Sequence, residues 1–185
     1  HTLGPWKAAL QFVQSINELN TVTKVVIDLY GSLAKTGKGH GTDIAVQMGL
    51  MGERPETFDT SSLSRLIEGI KTNEKLVLNT THAVAFQPET DIVFHMKESL
   101  PFHPNALRFT AFGGDTVVST DVYYSIGGGF VVREAENAET SVPLKILNYG
   151  NHDSDDLLEN CMLAGKNISS IVLENEREWR SDEET

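Results

Sequence analysis

Residues 106–132, ALRFTAFGGDTVVSTDVYYSIGGGFVV, decide the fold of this chain. Residues 106–112 read as a strand, Gly113-Gly114-Asp115 is a hairpin signal, and residues 116–126 alternate as the returning strand. A glycine triplet, 127–129, interrupts the run before residues 130–132 continue it. Consecutive hairpin strands after helical segments predict an α+β fold, with helices packed on a largely antiparallel sheet.

The residues before this region supply the helices and the remaining strands. Apolar spacing predicts helices over residues 5–16, 43–50 and 61–78, whereas β-branched runs predict strands over 23–30, 82–86 and 92–96. The apolar stripe that contains Trp6 and Phe12 is assigned to the core.

A change of composition near residue 133 predicts a second segment. Residues 134–141 are polar and acidic and are interpreted as a linker, followed by helices over residues 154–163 and 169–179. The predicted organisation is therefore one domain over residues 1–140, then a linker and the first helices of a truncated all-α domain over 141–185. The apolar face of the first of these helices predicts that Cys161 is a buried core residue, together with Leu157, Leu158 and Met162.

Composition narrows the class of protein. The chain has 185 residues and a formal net charge of -11, which argues against binding to nucleic acid or to an anionic membrane. No apolar run approaches the ~20 residues of a membrane span. We expect an acidic cytoplasmic protein. The single cysteine, Cys161, rules out an internal disulfide and a cysteine-rich metal site within this chain.

The loop GSLAKTGKGHGTD, residues 31–43, has a high density of glycine and carries His40. Glycines let a backbone approach a ligand closely, and histidine titrates near neutral pH. The spacing matches neither a phosphate-binding P-loop nor a dinucleotide fingerprint. Two interpretations stay open: a solvated loop whose glycines serve turn geometry, or a site in which His40 handles a proton.

His103 lies between Pro101 and Pro104, and Asn105 follows it. The two prolines fix the backbone around His103, and this fits either a turn-capping role or a binding role for the histidine. His82 and His95 fall within strand patterns and are interpreted as structural. The glycine triplet 127–129 fits either a β-bulge or backbone amides that face a ligand. No serine-nucleophile motif or paired metal-ligand spacing is present.

Five segments together resemble a known family. The segments are HTLGP (1–5), LYGSLAKTGKGHGTD (29–43), PFHPN (101–105), YYSIGGGF (123–130) and LENEREWRS (173–181). The first four resemble, in order and spacing, the N-terminal β domain of the iron–sulfur-dependent bacterial L-serine dehydratases. The last resembles the opening of the α domain that carries the cluster.

The resemblance implies an enzyme that converts L-serine to pyruvate and ammonia, with a [4Fe-4S] cluster in place of pyridoxal phosphate. The cysteines that hold the cluster would lie beyond Thr185, so no metal or cofactor ligand is expected in this chain. The serines that precede His1 in the family motif are absent, and His1 rather than Met begins the sequence. The resemblance implies that L-serine, the C-terminal α domain and a second copy in a homodimer are partners, and that the fragment alone is inactive.

The resemblance also implies roles for individual residues. His40 would be the base that removes the substrate α-proton, which requires an unprotonated imidazole. His1, Thr2, Lys38 and Gly39 would line the substrate site. His103 and Asn105 would bind the substrate carboxylate or support the cluster side of the site; Ala106-Leu107 replaces the Gly-Met that usually follows this asparagine.

A competing interpretation assigns this region no catalytic groups. The β domain also resembles the allosteric substrate-binding domain of some phosphoglycerate dehydrogenases, which implies a serine- or anion-binding regulatory and dimer-interface domain. A third possibility is a dimerisation domain alone. The relative position of His40 and His103 bears on this choice, because two imidazoles that open onto one cavity would favour a shared site.

Overall fold

The computed structural model describes residues 1–137, 147–151, 154–178 and 181. The chain divides into two compact units, His1–Thr140 and Ser141–Thr185, which are described separately.

The first unit contains six described helices and seven described strands. The helices are α1 (Leu3–Ser15), α2 (Gly31–Lys35), α3 (Thr42–Leu50), α4 (Leu63–Asn73), α5 (Pro88–Asp91) and α6 (Glu134–Asn137). The strands are β1 (Lys24–Tyr30), β2 (Lys75–Leu78), β3 (His82–Ala85), β4 (Ile92–His95), β5 (Ala106–Gly113), β6 (Thr116–Gly127) and β7 (Phe130–Arg133).

The strands form one sheet in the order β2-β3-β1-β5-β6-β7, with β4 also paired to β1. The β5-β6-β7 meander and the β2-β3 hairpin are antiparallel, as is the β1-β5 pair. These elements confirm the predicted α+β class and its largely antiparallel sheet. Two pairs are parallel, however: β3 and β4 lie one after the other along the same edge of β1.

The core lies between this sheet and helices α1 and α3. Every second residue of β1 (Val25, Ile27 and Leu29) is fully buried, as period-two alternation requires. The Phe12 ring of α1 stacks on Phe109 of β5 with 5.1 Å between centroids. Trp6 is buried and donates its indole N–H to the Glu53 carbonyl at 2.7 Å. The predicted core role of Trp6 and Phe12 is confirmed.

The predicted helix over residues 61–78 is wrong at its C-terminal end. Helix α4 stops at Asn73, and Glu74 takes a left-handed conformation with φ of 50°. The next four residues form β2, in which Leu76 and Leu78 are buried and their neighbours are exposed. An alternating pattern of only four residues is too short to distinguish from the end of an amphipathic helix.

The glycine triplet ends β6 in a turn. Gly127, Gly128 and Gly129 all have positive φ, and the pairing of β6 with β7 shifts register between Ser125 and Gly127. This irregularity matches the β-bulge interpretation. The predicted linker over residues 134–141 begins instead as the short helix α6, and residues 138–141 lie outside the described ranges.

The second unit contains helices α7 (Ser154–Ala164) and α8 (Ile168–Glu176), at the two predicted positions. The predicted burial of Cys161 is wrong, since this residue is only partly buried and its neighbours Leu158 and Met162 are exposed. Two short helices enclose too little volume for a complete core. Among the described residues, no helix is long and apolar enough to cross a membrane.

Candidate functional site

The structure brings His1 and His40 together although 38 residues separate them in sequence. Their rings lie edge to face with 5.2 Å between centroids. Both side chains are exposed. The two residues are therefore accessible from solvent.

Two reciprocal hydrogen bonds hold the start of the chain against the His40 loop. Thr42, which is completely buried at the first turn of α3, donates its hydroxyl to the His1 carbonyl at 2.6 Å. Thr2 donates its hydroxyl to the His40 carbonyl at 2.8 Å. The backbones that carry the two imidazoles are therefore fixed relative to each other.

The loop itself is a compact turn. The His40 N–H donates to the carbonyls of Thr36 and Gly37 at 3.2 and 3.1 Å. A Cβ on Gly37 would lie 2.0 Å from the Leu33 carbonyl oxygen, so only glycine allows this close approach. The backbone bonds and this required glycine argue against a loosely solvated loop.

Lys38 and Gly39 occupy the exposed tip of the loop. The Lys38 ammonium lies 5.3 Å from the centroid of the Phe94 ring, on the rim of a cavity of about 260 Å³ that Asp43 and Gln47 also line. No ring contact or hydrogen bond joins Lys38 to His1 or His40 among the described residues. Lys38 therefore lies at the cavity that Phe94 lines, and no described contact joins it to the histidine pair.

The segment that carries His103 packs against the start of α2. Gly31 has φ of 56°, and a Cβ there would lie 1.9 Å from the Pro104 carbonyl oxygen. The Gly31 N–H donates to the Glu98 carbonyl at 2.9 Å. This glycine lets residues 98–104 cross directly over the end of β1.

Within that segment His103 caps a turn, since its Nδ1 accepts the Asn105 N–H at 3.1 Å. Asn105 lines a groove of about 520 Å³, together with Ser32 and Lys35 of α2 and Lys97. The Asn105 Oδ1 is buried and has no hydrogen-bond partner among the described residues. A residue that lines the groove therefore carries a buried acceptor without a partner, which is unusual for a buried polar atom.

The predicted site residues thus fall into three places. His1, Thr2 and His40 form one cluster, Lys38 lies over Phe94, and Asn105 lines the groove beside α2. The described residues show no direct contact between His103 and His40. Ser32 connects two of these places, because it lines the groove and its carbonyl accepts the Thr36 hydroxyl, which also bonds to His1.

Sequence reasoning missed a second polar cluster around His95. Its Nε2 lies 2.6 Å from Asp28 Oδ1 and its Nδ1 lies 3.2 Å from Glu98 Oε1, while Tyr30 stacks on the ring at 4.6 Å. The hydrogen bond with Asp28 is the main cause that raises the pKa of His95 above its ordinary value. The parallel pairing of β1 with β4 brings these residues together. The sequence signal for this cluster is Asp28, which interrupts the apolar run of β1 after Lys24.

We expect His95 to make stability depend on pH. Because its pKa is raised in the folded state, its stabilising contribution is complete below the ordinary imidazole value of about 6.5 and is lost as pH rises through the raised value. The measurement is urea unfolding at about pH 6 and about pH 8. Between these two values the free energy of unfolding should fall more in the unmodified chain than in His95→Gln or Asp28→Asn. The same loss in all three proteins would contradict this assignment.

The described residues do not fit an iron–sulfur cluster. They contain no group of three or more histidine, cysteine, aspartate or glutamate side chains placed to hold a metal ion. The sequence has one cysteine, which lies in the second unit.

The comparisons with known proteins all find serine dehydratases. The family model described as "Serine dehydratase beta chain" matches residues 1–136. Over its whole length the chain is 42% identical to L-serine dehydratase 2 of Escherichia coli K12 and 40% identical to an L-serine dehydratase of Streptomyces coelicolor. A Helicobacter pylori L-serine dehydratase is 36% identical over 93% of the chain.

The chain spans about two fifths of the length of these relatives: 41% of the first, 42% of the second and 38% of the third. The activity given in their names therefore belongs to longer proteins. The family match covers nearly the whole first unit, which contains the paired histidines and the groove. The chain belongs to the serine dehydratase beta chain family.

Proposed function

We propose that this chain is the β-domain part of an L-serine dehydratase and contributes side chains to the conversion of L-serine to pyruvate and ammonia. The observation that carries the proposal is the pair of exposed imidazoles, His1 and His40, 5.2 Å apart in a chain similar to proteins named L-serine dehydratase. A histidine pair held by reciprocal backbone contacts suits acid–base chemistry.

In the proposed reaction His40 takes the α-proton of L-serine. The His40 ring makes no hydrogen bond with another described residue, so its nitrogens are available to a substrate. The electron pair of the broken Cα–H bond forms the Cα–Cβ double bond. The β-hydroxyl leaves with the electron pair of the C–O bond, takes up the proton that His40 carries and departs as water, which gives aminoacrylate. Tautomerisation to the imine and addition of water then release pyruvate and ammonia. Because an α-proton is weakly acidic, the base must be close and well oriented.

Asn105 is proposed as a substrate contact. Its buried, unpartnered Oδ1 is an acceptor, which fits the ammonium group of an amino acid better than its carboxylate. Lys35 and Lys97 on the same groove supply the positive charge that a carboxylate requires. The carboxylate-binding role of Asn105 stays a prediction, while His103 is proposed to act by holding the Asn105 backbone.

We further propose that the [4Fe-4S] cluster is held by cysteines outside this chain, in an α domain that follows it. A cluster of this kind would supply Lewis-acid chemistry. The described residues do not fit the cluster, so no step is assigned through it. We also propose that the protein forms a homodimer and is located in the cytoplasm.

The test is an assay of the longer protein that contains this chain. This protein is prepared without oxygen so that its cluster remains intact. We expect pyruvate to form from L-serine and not from D-serine. We expect the 185-residue chain alone to form none. Cluster-loaded protein that forms no pyruvate from L-serine would overturn the proposal.

A further inference from the structure

The Thr36 hydroxyl lies between two groups that compete for its single proton. Its Oγ1 is 3.0 Å from the Ser32 carbonyl oxygen and 3.1 Å from Nδ1 of His1. A carbonyl oxygen can only accept a hydrogen bond, whereas a ring nitrogen of neutral histidine accepts or donates according to its tautomer. If the hydroxyl donates to Ser32, its lone pair faces Nδ1.

We propose that Thr36 is a positioning residue that holds neutral His1 in the tautomer with the proton on Nδ1. A neutral imidazole carries one N–H, so this arrangement leaves Nε2 with the free lone pair. His1 would then offer a substrate an acceptor. This inference rests on the proposed function, in which His1 lines the substrate site.

The surroundings of Thr36 favour this direction of donation. Thr36 is the C-cap residue directly after α2, and its backbone N–H already donates to the same Ser32 carbonyl at 3.0 Å. A threonine hydroxyl that bonds to the carbonyl four residues earlier is a common local arrangement in helices. Thr42 independently fixes the His1 backbone, which limits the positions that the His1 ring can reach.

The tautomer decides what His1 does beside His40. An Nε2 lone pair accepts a hydrogen bond from the ammonium or hydroxyl group of L-serine, whereas an Nε2–H would donate to the carboxylate. Thr36 would therefore influence how the amino acid is oriented before His40 removes its α-proton. Thr36 itself need not contact the substrate.

Nuclear magnetic resonance of the 185-residue chain, with ¹⁵N in the histidine rings, tests the tautomer directly. The His1 signals are assigned with a His1→Gln variant, at a pH where the neutral imidazole predominates. We expect a protonated Nδ1 in the unmodified chain and in Thr36→Ser. In Thr36→Val, which keeps the side-chain shape and removes the hydroxyl, we expect the proton to shift toward Nε2.

A protonated Nε2 in the unmodified chain, or a tautomer unchanged in Thr36→Val, would overturn the inference. In the longer enzyme we expect Thr36→Val to lower kcat/KM for L-serine about tenfold and Thr36→Ser to restore it, since one well-placed hydrogen bond has an effect of this order. A changed tautomer with full kcat/KM would support the role of Thr36 and overturn the proposed substrate role of His1.

Discussion

Replacement of His40 by alanine in the longer enzyme is expected to lower kcat for L-serine by about 10²–10⁴-fold, the usual contribution of a general base. The His40 ring is exposed, makes no hydrogen bond with another described residue and lies 5.2 Å from His1. Because its only described ring contact is His1, the substitution should remove a proton acceptor and leave the fold intact.

The measurement is the initial rate of pyruvate formation, with the iron content of each protein determined in parallel. His82→Ala serves as the control, since the His82 Nε2 bonds to the Val22 carbonyl at 2.7 Å within the sheet region. Loss of turnover in His40→Ala with iron content unchanged supports a catalytic group.

The same variant distinguishes the regulatory alternative. If the β domain binds serine or an anion only to regulate the enzyme, His40→Ala should keep a normal kcat and change the cooperativity of the serine response. If the domain serves dimerisation alone, neither His40→Ala nor His103→Ala should change serine binding. Under either alternative, a normal kcat in His40→Ala would contradict a catalytic role for His40.

Replacement of Gly31 by alanine is expected to destabilise the first unit by about 3–5 kcal/mol, the range reached when strain and a steric clash combine. Gly31 has φ of 56°, which disfavours an L side chain. Its Cβ would lie 1.9 Å from the Pro104 carbonyl oxygen, a backbone atom that cannot move aside alone. The predicted loss of stability includes the packing of residues 98–104 against the start of α2.

Urea unfolding of the 185-residue chain measures this effect, and Gly114→Ala is the matched control. Gly114 has φ of 60°, but no atom lies within 4 Å of the added Cβ. This variant should therefore lose only about 1 kcal/mol, the cost of the left-handed backbone alone. Equal losses in the two variants would show that Pro104 does not restrict Gly31.

The sequence allowed the fold class to be predicted because its hairpin strands are local. Residues 106–132 form β5, β6 and β7 close to their predicted positions, and a hairpin brings together residues that are neighbours in sequence. The parallel pairs of β1 with β3 and β4 were not predictable in the same way. They join residues more than 60 positions apart, and no local signal specifies which strand inserts where.

The same distinction applies to the candidate site. Glycine density and family resemblance pointed to His40 and His1, and the structure brings these two together. The threonine contacts that fix them were missed, since Thr36 and Thr42 have ordinary helix-end patterns and their partner is 35 or 41 residues away. The contact between His95 and Asp28 likewise depends on a parallel strand pair rather than on sequence spacing.

The central place of β1 has a consequence for biosynthesis. Both of its edges are occupied by strands that are translated much later: β4 on one side and β5 on the other, up to Phe112. Until those residues leave the ribosome, the apolar β1 is without its permanent neighbours. The nascent chain must therefore keep an unpaired, aggregation-prone segment apart from other chains for several seconds, at synthesis rates of about 5–20 residues per second.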